Sequence, residues 1–400
     1  MLKAPSKSRI SCQVCFNYFS LKEILFRCSN KLCAAENDQE QAEYLGVPQK
    51  MDQPVVTPSG TGNIKNGVAT CAKCQQPTMI HICPRCHCEI PQFPWNAPNM
   101  TLAIVGSVGA GKTVYLTTTM KHLQENLGEY LGTEAGVTIS TKRTEDNITE
   151  HEEAIFIKNE ELQTTPRRVV NSEVRLPYAY HLGSWNYRKG FHPLKKKLKT
   201  YLSIFDAAGE DFNDRNDTVT LTQIPNAQGL IMFIDPMSFP DIAERYGEKR
   251  FTTQTPTQIL DKFYNAYVLQ NPHLSLGDKI PVPTAFVLGK VDMLGDYTAA
   301  HPEFNNPPAH KGGVDLKSIE TSSLATCAVL KDLRGDALCG TIESRFSNHC
   351  FFAVSCGRRW TEPDPNNPAK LIGRFQPNPY RIMDPILWML WSNGRIPSTS

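Results

Sequence analysis

No stretch of this chain approaches the roughly 20 consecutive apolar residues of a membrane-spanning helix. No apolar core follows the opening Met1-Leu-Lys-Ala-Pro-Ser-Lys7 as it would in a signal peptide. Neither sign of charge is in excess. Lys and Arg number 42 against 40 Asp and Glu, a formal charge of +2, so no global field directs the chain to nucleic acid or lipid. There is no internal repeat, and no low-complexity tail beyond Pro397-Ser-Thr-Ser400. These absences predict a cytoplasmic protein with no transmembrane segment, for which nucleic acid is possible but not the favoured partner. With 400 residues and ordinary apolar and charged fractions, two or three domains with a sizeable core are expected.

The thirteen cysteines are unevenly spread. Nine precede residue 90, and eight of these form four close pairs: Cys12/Cys15, Cys28/Cys33, Cys71/Cys74 and Cys83/Cys86. In a cytosolic chain such pairs read as metal ligands before disulfides. Two cysteines on a tight turn grip one Zn²⁺, and two such turns complete a tetrahedral S4 site. Two Zn²⁺ are therefore expected, with an iron–sulfur cluster as the rival metal centre. Cys71/Cys74 with Cys83/Cys86 suggests a compact ribbon, although sequential and interleaved pairings both remain open. His81, His87 and Cys88 read as neighbours, with His87 the best spare ligand. Phe16, Tyr18, Phe19, Leu25 and Phe26 are expected to pack around the first site, and residues 34–70 to form a weakly ordered polar spacer. Cys327, Cys339, Cys350 and Cys356 lack metal spacing and read as reduced structural thiols.

After the proline-rich stretch Pro91–Pro98 comes the apolar run Leu102–Val105. It leads into Gly106-Ser107-Val108-Gly109-Ala110-Gly111-Lys112-Thr113. Gly-x4-Gly-Lys-Thr between strand and helix is the phosphate-cradling P-loop. Its glycines let backbone N–H groups approach phosphate oxygens, and the helix N-terminus adds partial positive charge. Lys112 would reach the β- and γ-phosphates and Thr113 would ligate Mg²⁺.

The remaining chain alternates strand and helix patterns, predicting an α/β fold with a mostly parallel sheet. Strands are expected at Val169–Tyr180, Leu198–Phe205, Gly229–Ile234, Thr284–Leu288 and Cys350–Val354. Helices are expected at Lys112–Leu127, Asp146–Glu161, Thr257–Leu269, Leu316–Leu333 and Met383–Trp391. Loops are expected around 236–255, 295–315 and 357–380. Three strand ends carry further chemistry. Asp206-Ala-Ala-Gly209 suits a Mg²⁺ carboxylate, with the Gly209 N–H meeting a γ-phosphate. Gly289-Lys290-Val-Asp292 offers a carboxylate for guanine N1–H and N2–H and a lysine stem over the base. At Ser355-Cys356 a backbone N–H can meet guanine O6. Strand ends at one edge of a parallel sheet are where ligands bind. The basic cluster at Arg188-Lys189 and Lys195–Lys199 reads as a solvated hairpin tip.

These four stretches resemble the G1, G3, G4 and G5 boxes of Ras-like GTPases of the translation-factor-related class. Phe26-Arg-Cys28, Cys83-Pro-Arg-Cys-His87, Gly111–Leu116, Asp206–Glu210 and Asp384-Pro-Ile-Leu-Trp388 further resemble bacterial zinc-ribbon GTPases of the double-GTPase type, often encoded beside partner proteins in defence or conflict systems. The resemblance implies GTP or GDP, Mg²⁺ and a regulated protein partner. It implies a zinc-ribbon region over 1–90, a linker over 91–98 and a P-loop GTPase domain over 99–400. Three departures matter. Gly289 replaces the Asn or Thr that ties the base box to the P-loop. Glu210 stands where Ras proteins carry the water-positioning Gln, which predicts slow hydrolysis. Val108 would crowd an arginine finger. Thr165, in preference to Thr164, is the candidate switch I threonine. The expected function is a slowly hydrolysing GTP switch whose ribbons engage a protein. The alternatives are a non-hydrolysing nucleotide-binding scaffold and a zinc-ribbon nucleic-acid adaptor.

Overall fold

The structure, a computed structural model, describes residues 9–57, 68–90, 99–131, 135–162, 176–187, 196–207, 223–246, 255–365 and 367–399. The expectations placed on the 91–98 linker, Thr164, Thr165, Gly209, Glu210, and on Arg188, Lys189 and Lys195 of the basic cluster, lie outside these residues.

The central sheet is built from β1 (Asn99–Gly106), β2 (Ala135–Ile139), β3 (Tyr178–Tyr187), β4 (Lys196–Asp206), β5 (Gly229–Ile234), β6 (Thr284–Leu288) and β7 (His349–Ala353). Its order is β2-β3-β4-β1-β5-β6-β7. The run from β4 to β7 is parallel, while β2 and β3 add antiparallel pairs at one edge. Strands covered on both faces need apolar residues throughout rather than alternation, and β5 and β6 are buried at every position. In β1, Met100, Leu102 and Ile104 face one core while Ala103 and Val105 face the other.

Helices cover both faces: α1 (Lys112–Leu131), α2 (Lys142–Glu152), α3 (Pro256–Gln270), α4 (Leu316–Asp332), α5 (Asp336–Arg345) and α6 (Asp384–Ser392). On one face α1 contributes Tyr115, Leu116, Met120, Leu123 and Leu127, and α6 contributes Ile386, Leu387 and Leu390. Each fully buried side chain of this kind stabilises the fold by about 1.5–3 kcal/mol. Leu123→Ala would remove that and leave a cavity, at a cost of about 2–5 kcal/mol. The opposite face is covered by α3, α5 and the second half of α4. Local chemistry sets the helix starts. Thr255 and Gln258 form a capping box before α3, with Pro256 in the first turn. Asp315 caps α4 by accepting from Ser318 N at 3.0 Å.

Three expectations change. The 357–380 segment is not a loop but a long hairpin of β8 (Ser355–Asp364) and β9 (Asn367–Tyr380). Its prolines misled because a two-stranded ribbon has an outward edge on each strand, where a missing N–H costs no ladder bond. Helix α5 went unseen because Gly340 interrupts a weakly amphipathic run. The 236–255 and 295–315 segments carry short helices at Pro240–Arg245 and Gly295–Ala299.

In the cysteine-rich front, the strand Leu25–Arg27 pairs antiparallel with Ile80–Ile82. The supposed spacer holds a helix, Gln39–Leu45, capped by Asp38. This front docks at the N-terminal ends of the sheet strands. Asn99 Nδ2 donates to Ser11 O (3.3 Å) and Gln228 Nε2 to Tyr18 OH (3.0 Å). Gln223 Nε2 reaches both Val14 O (2.7 Å) and Tyr44 OH (3.0 Å). Phe16 does not pack around the first cysteine site. Its side chain is 0 % exposed and belongs to the core under α3 and α5.

Candidate nucleotide and metal sites

The P-loop connects the end of β1 to α1 at the middle of the sheet. Gly109 (φ 76°) and Gly111 (φ 89°) take left-handed conformations that L side chains rarely adopt. Gly106 is required for space, since a Cβ there would lie 2.8 Å from Phe233 Cβ and 2.9 Å from Phe233 O. The loop curls around Lys112, whose Nζ donates to Gly106 O (2.9 Å) and Ser107 O (2.8 Å). Val108 is half-buried beside them and Ala110 is buried.

Asp206 ends β4, paired with Ile104 of β1. Thr113 Oγ1 donates to Asp206 Oδ2 at 2.8 Å. Two oxygen ligands held side by side at a P-loop suit a hard divalent cation such as Mg²⁺. His151 of α2 is a neighbour that the sequence did not single out. Burial lowers its pKa, while Glu150 and Asp206 pull the other way.

The end of β6 carries the third stretch. Lys290 takes a left-handed conformation (φ 51°). Its Nζ lies 3.1 and 3.2 Å from the two carboxylate oxygens of Asp235, just beyond β5. Asp235 was missed because a single carboxylate after a buried strand carries no motif. Ser355, just after β7, donates to Asp292 Oδ1 at 2.6 Å. Cys356 is half-buried, and burial followed by the Asp292 charge pushes its thiol up to about 12. At Gly289 a Cβ would lie 3.3 Å from Ala110 O, so the base box closes on the P-loop backbone without a side chain. The structure thus brings Gly106 to Thr113, Asp206, Lys290, Asp292, Ser355 and Cys356 to the C-terminal edge of one sheet.

The cysteines form two clusters, Cys12/Cys15/Cys83/Cys86 and Cys28/Cys33/Cys71/Cys74. The pairing is interleaved, so the compact Cys71/Cys74/Cys83/Cys86 ribbon is not formed. The cause is the antiparallel register, Leu25 with Ile82 and Arg27 with Ile80. It sets the entrance of one linking strand beside the exit of the other. A tetrahedron with Zn–S bonds of ~2.3 Å has S···S edges of about 3.8 Å. Cys12···Cys86 is 3.9 Å, Cys15···Cys83 3.8 Å and Cys28···Cys74 3.5 Å. The donor set therefore fits a tetrahedral thiolate-bound metal. Three of the turns share one geometry. Phe16, Gln75 and His87, each just after the second cysteine of its pair, have φ of 63°, 57° and 51°. Their N–H groups bond back to the carbonyls of Cys12, Cys71 and Cys83. His87 is not a spare ligand. Its Nδ1 lies 2.8 Å from Asp38 Oδ1, and Asp38 also pairs with Arg27 at 2.7 Å. Burial would raise Asp38, but Arg27, the Gln41 N–H and His87 together hold it below the ordinary carboxylate range.

Residues 100–270 match the model of the family Double-GTPase 2. Over this stretch the chain is similar to the double-GTPase proteins. A relative from Mycolicibacterium smegmatis, described as "Putative ESX-1 scaffolding and assembly protein SaeC", is 22 % identical over 290 residues, covering 71 % of this chain and 70 % of its own. Among solved structures, the Arl6 BBS3 small GTPase of Trypanosoma brucei is 11 % identical, over 64 % of this chain and 87 % of its own, with a TM-score of 0.25. The S. cerevisiae Ski7 GTPase-like domain is 14 % identical, over 65 % and 43 %, with a TM-score of 0.26. A bacterial selenocysteine-specific elongation factor is 14 % identical, over 64 % of this chain, which spans about a quarter (26 %) of that protein, with a TM-score of 0.25. No helix among the described residues is long and apolar enough to cross a membrane.

Proposed function

We propose that this chain is a guanine-nucleotide switch of the double-GTPase kind that hydrolyses GTP slowly and uses its metal-bearing front to engage a protein partner. The observation that carries the reading is the convergence of the P-loop, Asp206, Lys290 and Asp292 at one sheet edge, with Thr113 on Asp206 and Ser355 on Asp292. In this reading Lys112 and the loop amides hold the phosphates, and Thr113 with Asp206 holds Mg²⁺. Asp292 selects guanine while Lys290 covers the base. Gly209 would sense the γ-phosphate, and Glu210 would orient water less well than a glutamine. Thr165 is the switch I threonine proposed to close on Mg²⁺. Each cysteine cluster holds one Zn²⁺.

The deciding experiment is competitive binding of GTP, ATP and XTP to the purified chain. Preference for GTP, moved toward XTP by Asp292→Asn, supports the reading, and equal affinity for GTP and ATP overturns the guanine assignment. A scaffold that binds nucleotide without turnover is a second reading. It is supported by the scaffolding and assembly description of the Mycolicibacterium smegmatis relative and by Glu210. Single-turnover hydrolysis with and without a captured partner separates the two.

A further inference from the structure

Two thiols outside both metal clusters meet in the helical layer. Cys327 lies in α4 and Cys339 in α5, and their Sγ atoms are 3.8 Å apart. The turn between the helices, Leu333-Arg334-Gly335, is closed by Arg334 N to Lys331 O and Gly335 N to Leu330 O, both 2.8 Å. A Cβ on Gly335 would lie 2.6 Å from Leu330 O, so only glycine permits so close a return. This turn sets the two helices, and with them the two sulfurs, side by side.

The thiols are not equivalent. Cys339 is 1 % exposed, within the core that holds Leu338 and Ile342. Cys327 is half-buried at the rim of that core. The hydrogen bond shared by the two sulfurs draws Cys327 below the ordinary thiol range against the effect of burial; the Lys331 ammonium one turn on adds to this, and Glu343 and Asp336 oppose it. The same contact, followed by burial, pushes Cys339 up. Solvent access therefore falls on one sulfur, with a buried thiol behind it. Once deprotonated, the accessible sulfur is the competent nucleophile in exchange. A metal is a poorer explanation. A tetrahedral site needs further ligands beside two sulfurs, and no third Cys, His, Asp or Glu ligand atom joins them among the described residues.

We propose that Cys327 and Cys339 form a reversible regulatory disulfide by exchange with a small-molecule disulfide of the glutathione class. Cys327 thiolate attacks one sulfur of the oxidised tripeptide, forming a mixed disulfide and releasing one glutathione thiolate. Cys339 then gives its proton to solvent, attacks Cys327 Sγ and expels the second glutathione. The protein dithiol loses two electrons and two protons, and one glutathione disulfide becomes two thiols. Closure needs the sulfurs to move from contact to a bond of about 2.05 Å by side-chain rotation. The product staples α4 to α5. Ser323 of α4 accepts the Phe351 N–H of β7 at 2.9 Å, so the staple sits behind the strand that leads to Ser355. This inference does not depend on the identity of the nucleotide.

The test uses the full chain with its metal bound. It is equilibrated with oxidised glutathione, remaining thiols are alkylated, and peptides are mapped without reduction while metal content is followed. The expected result is a Cys327–Cys339 linked peptide, lost on reduction, at unchanged metal content. Cys339→Ser should stop at glutathione on Cys327, and Cys327→Ser should leave Cys339 unmodified. Full alkylation of both thiols in the native sequence, with no adduct in Cys339→Ser, overturns the proposal. So does a linked peptide that appears only after metal is released.

Discussion

The Lys290 ammonium is held by both carboxylate oxygens of Asp235, at 3.1 and 3.2 Å, across the gap between the ends of β6 and β5. Asp235 also accepts the Met237 N–H at 3.1 Å, so its carboxylate is fixed before Lys290 arrives. If the lysine stem covers a guanine base, its carboxylate anchor is part of the affinity. A hydrogen bond to a charged group contributes about 1.5–3 kcal/mol. Asp235→Ala should weaken GDP binding about tenfold by calorimetry, where tenfold is about 1.4 kcal/mol. Asp235→Asn, which can keep the cap on Met237, should lose less. Equal affinities in all three proteins would remove Asp235 from the site.

The interleaved clusters make a prediction about metal counts that a sequential pairing does not. The purified chain should contain about two zinc ions by elemental analysis. Cys15→Ser, Cys83→Ser and the double variant should each retain about one, because all three damage the same site. Cys15→Ser combined with Cys71→Ser should retain close to none. A chain in which Cys71→Ser and Cys83→Ser remove the same ion would have the ribbon pairing instead.

Phe16 lies between the two halves of the molecule, in backbone geometry set by one and packing supplied by the other. Phe16→Ala should cost about 3–5 kcal/mol in chemical denaturation, as for other buried phenylalanines, while Phe16→Leu should lose a smaller part. Nothing in the clusters' sulfur geometry should change, so metal content should stay at the wild-type level in folded protein.

Asp315 joins the α4 cap to pH. Burial alone would raise it, but the Ser318 and Ala309 N–H groups, His310 and Arg381 lower its pKa in the folded chain. A depressed carboxylate contributes stability above its unfolded pKa of about 3.9, and that contribution is lost as pH falls through the lower folded value. Asp315→Ala should lower stability at neutral pH by about 1 kcal/mol. The difference from wild type should shrink in strong acid, as read from urea midpoints.

Much of the candidate site's geometry was legible because it rests on local chemistry. Gly106–Thr113 needs its residues consecutive, and buried parallel strands such as Gly229–Ile234 and Thr284–Leu288 appear as unbroken apolar runs with the expected limits. Strand β2 and helix α5 carried weaker signals, one a short edge strand, the other broken by Gly340. The cysteine pairing depended on how Leu25–Arg27 meets Ile80–Ile82, a contact across more than fifty positions that no spacing reports. Asp235 and Phe16 escaped for the same reason. Each acts on a distant partner, Lys290 for the first and the core around α3 for the second. Cys327 and Cys339 looked unrelated because the tight turn at Gly335, not their separation, brings them together.

The insertion of Phe16 has a thermodynamic corollary. Its left-handed backbone is held by the turn that carries Cys12 and Cys15, yet its ring completes a core that includes Leu230 and Phe286 of the central sheet. A metal ion bound only by the folded turn would then act as a stabilising ligand of that sheet. By mass action, free metal at a hundredfold over its dissociation constant adds about 2.7 kcal/mol to folding. Metal availability in the surrounding solution would thereby become a variable in the central sheet's own melting curve.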